Sequence, residues 1–290
     1  MERILLKEKR LSLKANIKRR IPIQIKELYY RFTDTAKSIE TPWAGNYSSF
    51  LEAKANCEGY QTDIIFNKVL SAALKVRDGL AAYERDSVVF EAVQYNWPIL
   101  SCLLNGALQK ERPALRVLDF GGAFGTTYFA ARKFLPPEMV IKWIIVEQPH
   151  FVKKGKEEFE NKELSFVYDV ASAFKDNEID IVLFSGSLQY LPNPQLFLDD
   201  LLKYPFRYLM FDRTFFINQD DNRIVVQKVP DHIYKASYPC HLFNEEKFLQ
   251  HLIMLDCKLI AEFESEFDAD SQTKDNKIVY HKGFYLRCHG

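Results

Sequence analysis

The sequence has no excess of either charge, no long apolar run and no paired-cysteine motif. Its 39 basic and 39 acidic side chains cancel, so no global field points to a nucleic-acid partner. No apolar stretch reaches bilayer length, and the first residues lack an apolar core followed by small residues. Neither a spanning helix nor an export signal is therefore read here. The five cysteines, at positions 57, 102, 240, 257 and 288, are odd in number and form no C-x-x-C. Cys240-His241 and Cys288-His289 do not have the spacing of a zinc site, so no metal is expected. The expectation is reduced, mostly buried thiols in a cytoplasmic protein. Repeats and low-complexity segments are absent too.

What is present is an ordinary globular composition, 47% apolar over 290 residues. That suffices for one large α/β domain with an appendage, or for two modest domains. The cancelling charges hide an asymmetry, since residues 1–31 carry ten Lys/Arg against three Glu. Within residues 3–20, Ile4, Leu5, Leu11, Leu13 and Ile17 alternate with Arg3, Lys7, Arg10, Lys14, Lys18 and Arg19, the pattern of a basic amphipathic helix ending before Pro22. One reading is weak peripheral contact of residues 1–20 with an anionic membrane, each basic residue adding ~1 kcal/mol. The favoured reading packs the apolar stripe on the protein body or on a second subunit, as in a homo-oligomer.

Residues 41–50 (TPWAGNYSSF) read as an ordered loop. Ile64, Ile65, Val69, Ala72, Ala73, Val76 and Leu80 have helical spacing after Asp63, a candidate N-cap. A second helix is expected from Ser87, with Val88, Val89, Val93 and Trp97 inward and Pro98 as a kink. The YERD segment, 83–86, would join the two. The first 110 residues then form a helical region, a lid or interaction surface, and residues 111–290 form the ligand-binding domain.

That second part is organised by LRVLDFGGAFGTTY, residues 115–128. An apolar run ends in Asp119, glycines follow at 121, 122 and 125, and TTYFAARKF begins a helix. Strand, glycine turn and helix bring bare backbone and helix N–H groups close to a ligand. A second acid, Glu147, closes the next apolar run, IKWIIVEQ. A carboxylate there can accept from both hydroxyls of a ribose, so the two acids outline a nucleoside site. Strands and helices then alternate: Ile141–Val146, FVKKGKEEFE, LSFVYD, a short helix near 171–176, 179–187, FLDDLL and 206–212. Such alternation predicts a parallel sheet with helices on both faces and a ligand at the carboxyl ends of its strands. Beyond it, RTFFINQDDNRIVVQKV reads as a hairpin turning at Asp220-Asp221-Asn222. A Tyr- and His-rich loop (231–241) follows, then a helix Asn244–Leu255. Lys258–Phe263 and Gly283–Cys288 form two edge strands antiparallel to each other.

The stretch D-F-G-G-A-F-G resembles motif I of the Class I methyltransferases that use S-adenosylmethionine, with Ala123 where a middle glycine is usual. The ordered series YERDSVVF, VLDFGGAFG, VEQPHFVKKG, FSGSLQYLPNP, FDRTFF, VQKVPDHIYKASYP and KGFYLR is similar to one methyltransferase family. That family is often encoded in bacterial surface-polysaccharide (O-antigen) gene clusters, and the similarity spans roughly residues 40–288. The resemblance implies a Rossmann-like fold with a mostly parallel seven-stranded sheet, S-adenosylmethionine as cofactor and a small-molecule or glycan acceptor. It gives Asp119, Gly121, Gly122 and Gly125 to the cofactor's methionine portion, Glu147 to the ribose, and Gln148 and Asp169 to the adenine. Ser185, Gly186 and Gln189 would line the transfer site, and Arg85 would pair with the cofactor's carboxylate. A hydroxyl acceptor needs a base, for which Asp212, His232 and His241 are candidates. Each acid also has a bland reading, because Asp before Gly is common turn chemistry. Two rivals stay open. A nicotinamide-dependent oxidoreductase or epimerase shares the glycine turn and second acid, although Phe120 stands where G-x-G-x-x-G needs its first glycine. A non-catalytic binding module on the same fold is the other.

Overall fold

A computed structural model describes residues 41–57, 62–109, 114–175, 177–229, 236–265 and 270–289. The basic segment 1–20 and His232 lie outside them. Residues 42–290 form one unit.

From the start of the described chain, β1 is Trp43–Tyr47, where a loop was expected, and α1 is Phe50–Ala55. Ser49 caps α1 by accepting from the Glu52 N–H. Helix α2 spans Thr62–Arg77, beginning one residue before the Asp63 expected to cap it. The helix expected from Ser87 does not exist. Tyr83–Arg85 (β2) and Val88–Phe90 (β3) pair as an antiparallel hairpin. Asp86 and Ser87 at its turn both have positive φ, 50° and 67°, the conformation of a two-residue turn that follows strand twist. The β-branched pair Val88-Val89 belongs to a strand, not to a helix face. Helix α3, Trp97–Leu108, starts with Pro98 in its first turn, not at a kink, and Asn96 caps it by accepting from the Ile99 N–H.

The sheet itself follows the sequence closely. Its elements are β4 Ala114–Phe120, α4 Thr126–Phe134, β5 Val140–Val146, α5 Pro149–Glu158, β6 Leu164–Val167, α6 Val170–Lys175, β7 Ile181–Ser185, α7 Pro194–Leu201 and β8 Tyr208–Ile217. Here the expected hairpin fails. Strand β9, Arg223–Lys228, does not pair with β8 but with β1 and with β10, Ser237–Leu242. These three make a separate small sheet, and His241 stands on a strand where a loop was expected. After α8 (Glu245–Met254) come β11 (Cys257–Glu264), the two-residue β12 (Ser271–Gln272) and β13 (Ile278–Cys288).

The main sheet runs β6-β5-β4-β7-β8-β13-β11, with β12 paired to β13 off this path. Its first five strands are mutually parallel, and β13 is antiparallel to both its neighbours. Numbered by appearance within the sheet the order is 3-2-1-4-5-7-6, the Rossmann-like Class I methyltransferase arrangement. Alternate residues of each strand feed two cores. Val117, Ile145, Leu183 and Met210 face one side with α3, α4 and α5 residues. Leu118, Ile144, Val182 and Leu209 face the other with α6, α7 and α8 residues. Burial of each such side chain stabilises by about 1.5–3 kcal/mol, which fixes register and therefore which residues stand at the strand ends.

The expectation of five reduced thiols is corrected. Cys257 and Cys288 occupy opposed positions on β11 and β13, Cα atoms 4.3 Å apart, and are joined as a disulfide. Thirty-one residues separate them in sequence, so no local motif could reveal the pair. Cys57, Cys102 and Cys240 are free. Among the described residues no helix is long and apolar enough to cross a membrane.

Candidate functional site

At the carboxyl ends of the parallel strands two clefts meet. The larger, about 720 Å³, is lined by Gly121, Glu147, Gln148, Asp169, Gly186 and Ser187 among others. The smaller, about 210 Å³, is lined by Glu84, Arg85, Asp119, Gly122, Ser185 and Asp212, together with Asn96 and Arg213. Gly121 lines both. It has φ +74°, and a Cβ placed there would come within 2.7 Å of the Ser187 Cβ. The Ser187 hydroxyl is in turn held by the Phe120 carbonyl at 2.6 Å. Only glycine lets the backbone pass between the two clefts.

Beneath the turn lies Asp119. A Cβ on Gly122 would fall 2.5 Å from its carboxylate, so the second glycine makes room for the acid. The Trp143 indole N–H donates to Asp119 Oδ2 at 3.1 Å, while Oδ1 is buried with no hydrogen-bond partner. Burial pushes this carboxyl up to about 7; the indole donor opposes the shift and the nearby Glu147 charge adds to it. Glu147 follows β5. Its Oε2 accepts from the Gln148 N–H at 2.7 Å, and burial raises its pKa against that bond and the Ala123 N–H. Asp169, across the larger cleft, accepts from the Ser172 N–H at 2.7 Å at the head of α6. That bond holds its carboxyl below the usual range, so the bland capping reading of Asp169 is realised, within the cleft wall.

On the smaller cleft Asp212 is buried and registered opposite Ser185 across β8 and β7. It accepts from the Ser185 hydroxyl at 3.0 Å and from the Asn96 side-chain N–H at 3.1 Å. Because the Asn96 oxygen caps α3, its amide cannot turn, and it presents its N–H to Asp212. The β2–β3 hairpin crosses the cleft. Buried Glu84 accepts from the Thr126 hydroxyl at the first residue of α4, and Asp86 at the tip pairs with Arg213 at 2.8 Å. Burial pushes the Glu84 carboxyl up to about 7, opposed by the Thr126 bond and reinforced by Asp86. Arg85 lies between these anchors and donates to Gln94 at 3.1 Å.

Several expected residues are elsewhere. Gln189 is fully buried, donates to the Arg213 carbonyl at 3.2 Å and lines neither cleft. His241 lines neither cleft; it is buried in the small sheet, stacked between Phe50 and Phe243, and burial lowers its pKa. Gly125 caps α4 in a left-handed conformation and does not line either cleft. Conversely, Glu84, Asn96 and Ser187 were not singled out from sequence. Asn96 had a readable signal, Asn shortly before a helix with Pro in its first turn; Ser187 had none. Among the described residues no cluster of metal-ligating side chains occurs.

No protein-family model matches the chain, and no curated protein sequence does. Similar solved structures do exist. One is the N-terminal domain of EvdMO1 in the presence of SAH and D-fucose, 13% identical over 74% of this chain and 95% of that one, TM-score 0.45. Another is a S-adenosylmethionine-dependent methyltransferase from Clostridium acetobutylicum, 11% identical over 66% of this chain and 91% of that one, TM-score 0.41. A third is the glycopeptide N-methyltransferase MtfA complexed with S-adenosyl-L-methionine, 11% identical over 63% of this chain and 92% of that one, TM-score 0.41.

Proposed function

We propose that this chain is an S-adenosylmethionine-dependent methyltransferase that O-methylates a sugar of a surface polysaccharide or of its precursor. The observation that carries the first half is the pair of clefts meeting over Gly121. A carboxylate stands in one and a buried, incompletely bonded carboxyl lies under the turn of the other. The residues fit the cofactor. Glu147 would accept from the ribose hydroxyls, Gln148 and Asp169 would flank the adenine, and the Gly121-Gly122 backbone would pass along the methionine portion. Asp119 Oδ1, lacking an internal partner, would accept from its ammonium group, and Arg85 stands where its carboxylate would lie.

When bound, the cofactor supplies an activated methyl group on sulfur; the protein aligns the acceptor and keeps water out. An acceptor hydroxyl must shed a proton. Asp212, fixed by Ser185 and Asn96, is the candidate to take it, because His241 faces neither cleft. The resemblance of its series of motifs to the polysaccharide-cluster family supports a glycan acceptor, and the chain's charge balance supports no nucleic-acid partner. We place the reaction in the cytoplasm, where such precursors are made.

The test is differential melting with S-adenosylhomocysteine, NAD or no ligand. A rise with S-adenosylhomocysteine alone is expected, and Glu147→Gln should weaken that binding about 10–100-fold, the worth of a charge-assisted hydrogen bond. A rise with NAD alone overturns the reading in favour of an oxidoreductase, and no rise with either leaves a binding module.

A further inference from the structure

An aromatic surface cluster adjoins the smaller cleft. Tyr95 lines the cleft. Its ring meets Trp97 at 5.3 Å and Phe134 at 5.5 Å between centroids, and Trp97 meets Phe134 edge-on at 5.3 Å. Trp97 is 50% exposed and Phe134 41%. Clustered exposed aromatic rings beside a cleft offer apolar area for a ligand to cover.

Two elements make this cluster continuous with the cleft. On α4, Thr127, Ala130 and Ala131 line the cleft, and Phe134 lies three to four residues further along the same face. On the other side, Tyr95, Asn96 and Trp97 are consecutive. Tyr95 faces the cleft, Asn96 donates to Asp212 on its floor, and Trp97 lies outside at the start of α3. One short segment therefore ties a floor of carboxylate, amide and hydroxyl to a cluster of tilted and edge-on aromatic rings.

That combination selects a ligand with one apolar face and a rim of hydroxyls. A pyranose ring has this character: axial C–H groups cover an aromatic ring while the hydroxyls reach polar partners. A purely apolar partner would cover a polar floor, where Ser185 and Asn96 donate to Asp212, and a polyanion would meet the acids Glu84, Asp86, Asp119 and Asp212 beside the cations Arg85 and Arg213.

We infer that Tyr95, Trp97 and Phe134 form a sugar-stacking platform that receives a pyranose ring at the mouth of the smaller cleft. This deepens the proposed function and rests on its glycan reading, but its test does not need turnover. The chain contains three tryptophans. Trp43 and Trp143 are 3% and 0% exposed, so acrylamide-quenchable fluorescence reports Trp97.

The full chain is titrated with methyl glycosides of D-glucose, D-galactose and L-rhamnose, with and without S-adenosylhomocysteine; uridine and thymidine serve as stacking controls. At least one glycoside should shield Trp97 saturably. Phe134→Ser should weaken that glycoside roughly tenfold or more while melting normally, and Trp97→Ala should do the same by calorimetry. Leu51→Ala, at an exposed position remote in sequence, should bind as the wild type. If S-adenosylhomocysteine binds but no glycoside shields Trp97, or if Phe134→Ser binds unchanged, the platform is wrong. Shielding by the nucleosides alone, or by raising protein concentration alone, overturns it in favour of a base site or a subunit interface. Glycoside shielding in a protein that ignores S-adenosylhomocysteine keeps the platform and sinks the cofactor reading.

Discussion

Gly121→Ala perturbs the point where the two clefts join, and its cost can be built from the structure. An L-residue at φ +74° sits in the left-handed region at about 1–2 kcal/mol. The added methyl would also stand 2.7 Å from the Ser187 Cβ, a separation that real carbon atoms do not keep. Ser187 cannot easily retreat, because its hydroxyl is bonded to the Phe120 carbonyl; overpacking of this kind costs about 1–3 kcal/mol. Together the loss is roughly 2–5 kcal/mol, a large fraction of a normal domain's stability. Urea denaturation measures it, with S-adenosylhomocysteine affinity followed by calorimetry. The decisive variant is Gly121→Ala combined with Ser187→Gly. Alone, Ser187→Gly should cost about 1–2 kcal/mol, for a lost hydrogen bond and added chain freedom. In the double variant the collision is gone, so the two effects should be sub-additive by about 1–3 kcal/mol, with binding restored in part. Strict additivity, or a Gly121→Ala protein of unchanged stability and affinity, would refute the geometry of the junction.

Three other outcomes follow from the same structure. Asp119 and Glu84 both have folded-state pKa values raised to about 7, so the native state binds more protons than the unfolded chain and stability falls as pH rises from about 4 to 7. Asp119→Asn removes one of these costs while leaving Trp143 an acceptor. It should melt higher than wild type at pH 8, by roughly 2–4 kcal/mol, and level with it near pH 4, yet bind S-adenosylhomocysteine more weakly. Equal pH profiles would contradict it. Asp275 behaves with the opposite sign: paired twice with Arg223, at 2.8 and 2.9 Å, it is held well below the usual carboxylate range. Asp275→Ala should cost about 1–2 kcal/mol at pH 7, solvent screening allowed for, and the difference from wild type should vanish as pH falls through the acid range. Finally, the chain denatured without reductant should titrate three thiols, because Cys257 and Cys288 are joined; five would show them reduced.

The parts of the fold legible in the sequence were those set by local pattern. Leu115 to Phe120, Ile141 to Val146 and Ile181 to Ser185 are apolar runs bounded by glycine, proline or acid, and each became a parallel strand. Parallel strands buried on both faces read as continuous apolar stretches, so they announce themselves. What failed was pairing over distance. Arg223–Lys228 has every local mark of a hairpin with Phe215–Ile217, but its partners are Trp43–Tyr47 and Ser237–Leu242. The turn at 220–222 could not say so, because strand choice depends on residues nearly 180 positions away. Val88 and Val89 misled differently: a three-residue strand is too short to display a period, and a helix face absorbs two valines as readily. The cleft positions of Asp119 and Glu147 were legible because each stands at the end of a readable strand. Glu84 was not, because its role comes from a hairpin laid across another element's helix. His241 looked catalytic because histidine is suited to the task; burial among Phe50 and Phe243 is a fact of tertiary packing that no residue type discloses.

The register of the sheet explains why these acids meet. Asp119 is level with Ile145 on β5 and Leu183 on β7, Ser185 is level with Asp212, and Glu147 is the residue after β5. Polar residues closing adjacent parallel strands must therefore arrive at one edge of the sheet. The chain moves from β4 to one side, through β5 and β6, before returning to β7 on the other, and a crevice opens at that reversal. Placing carboxyls there is costly. Asp119 is almost fully buried, one oxygen has only an indole N–H, and the other has no partner. Among the described residues the Trp143 N–H offsets that burial only in part; it could be satisfied equally by a neutral amide, and Gly122 is bare to accommodate the carboxyl. An acid at such a position suits the proposed role, in which a donor arrives from outside. A cationic ammonium group in the adjoining cleft would supply it, drawing the carboxyl into its ionised form as it binds. Proton release on binding, measured by calorimetry at pH 6 in buffers of different ionisation enthalpy, should therefore be positive in the wild type and smaller in Asp119→Asn. A ligand that binds with no proton release in either protein would mean that Asp119 shapes the turn and nothing more.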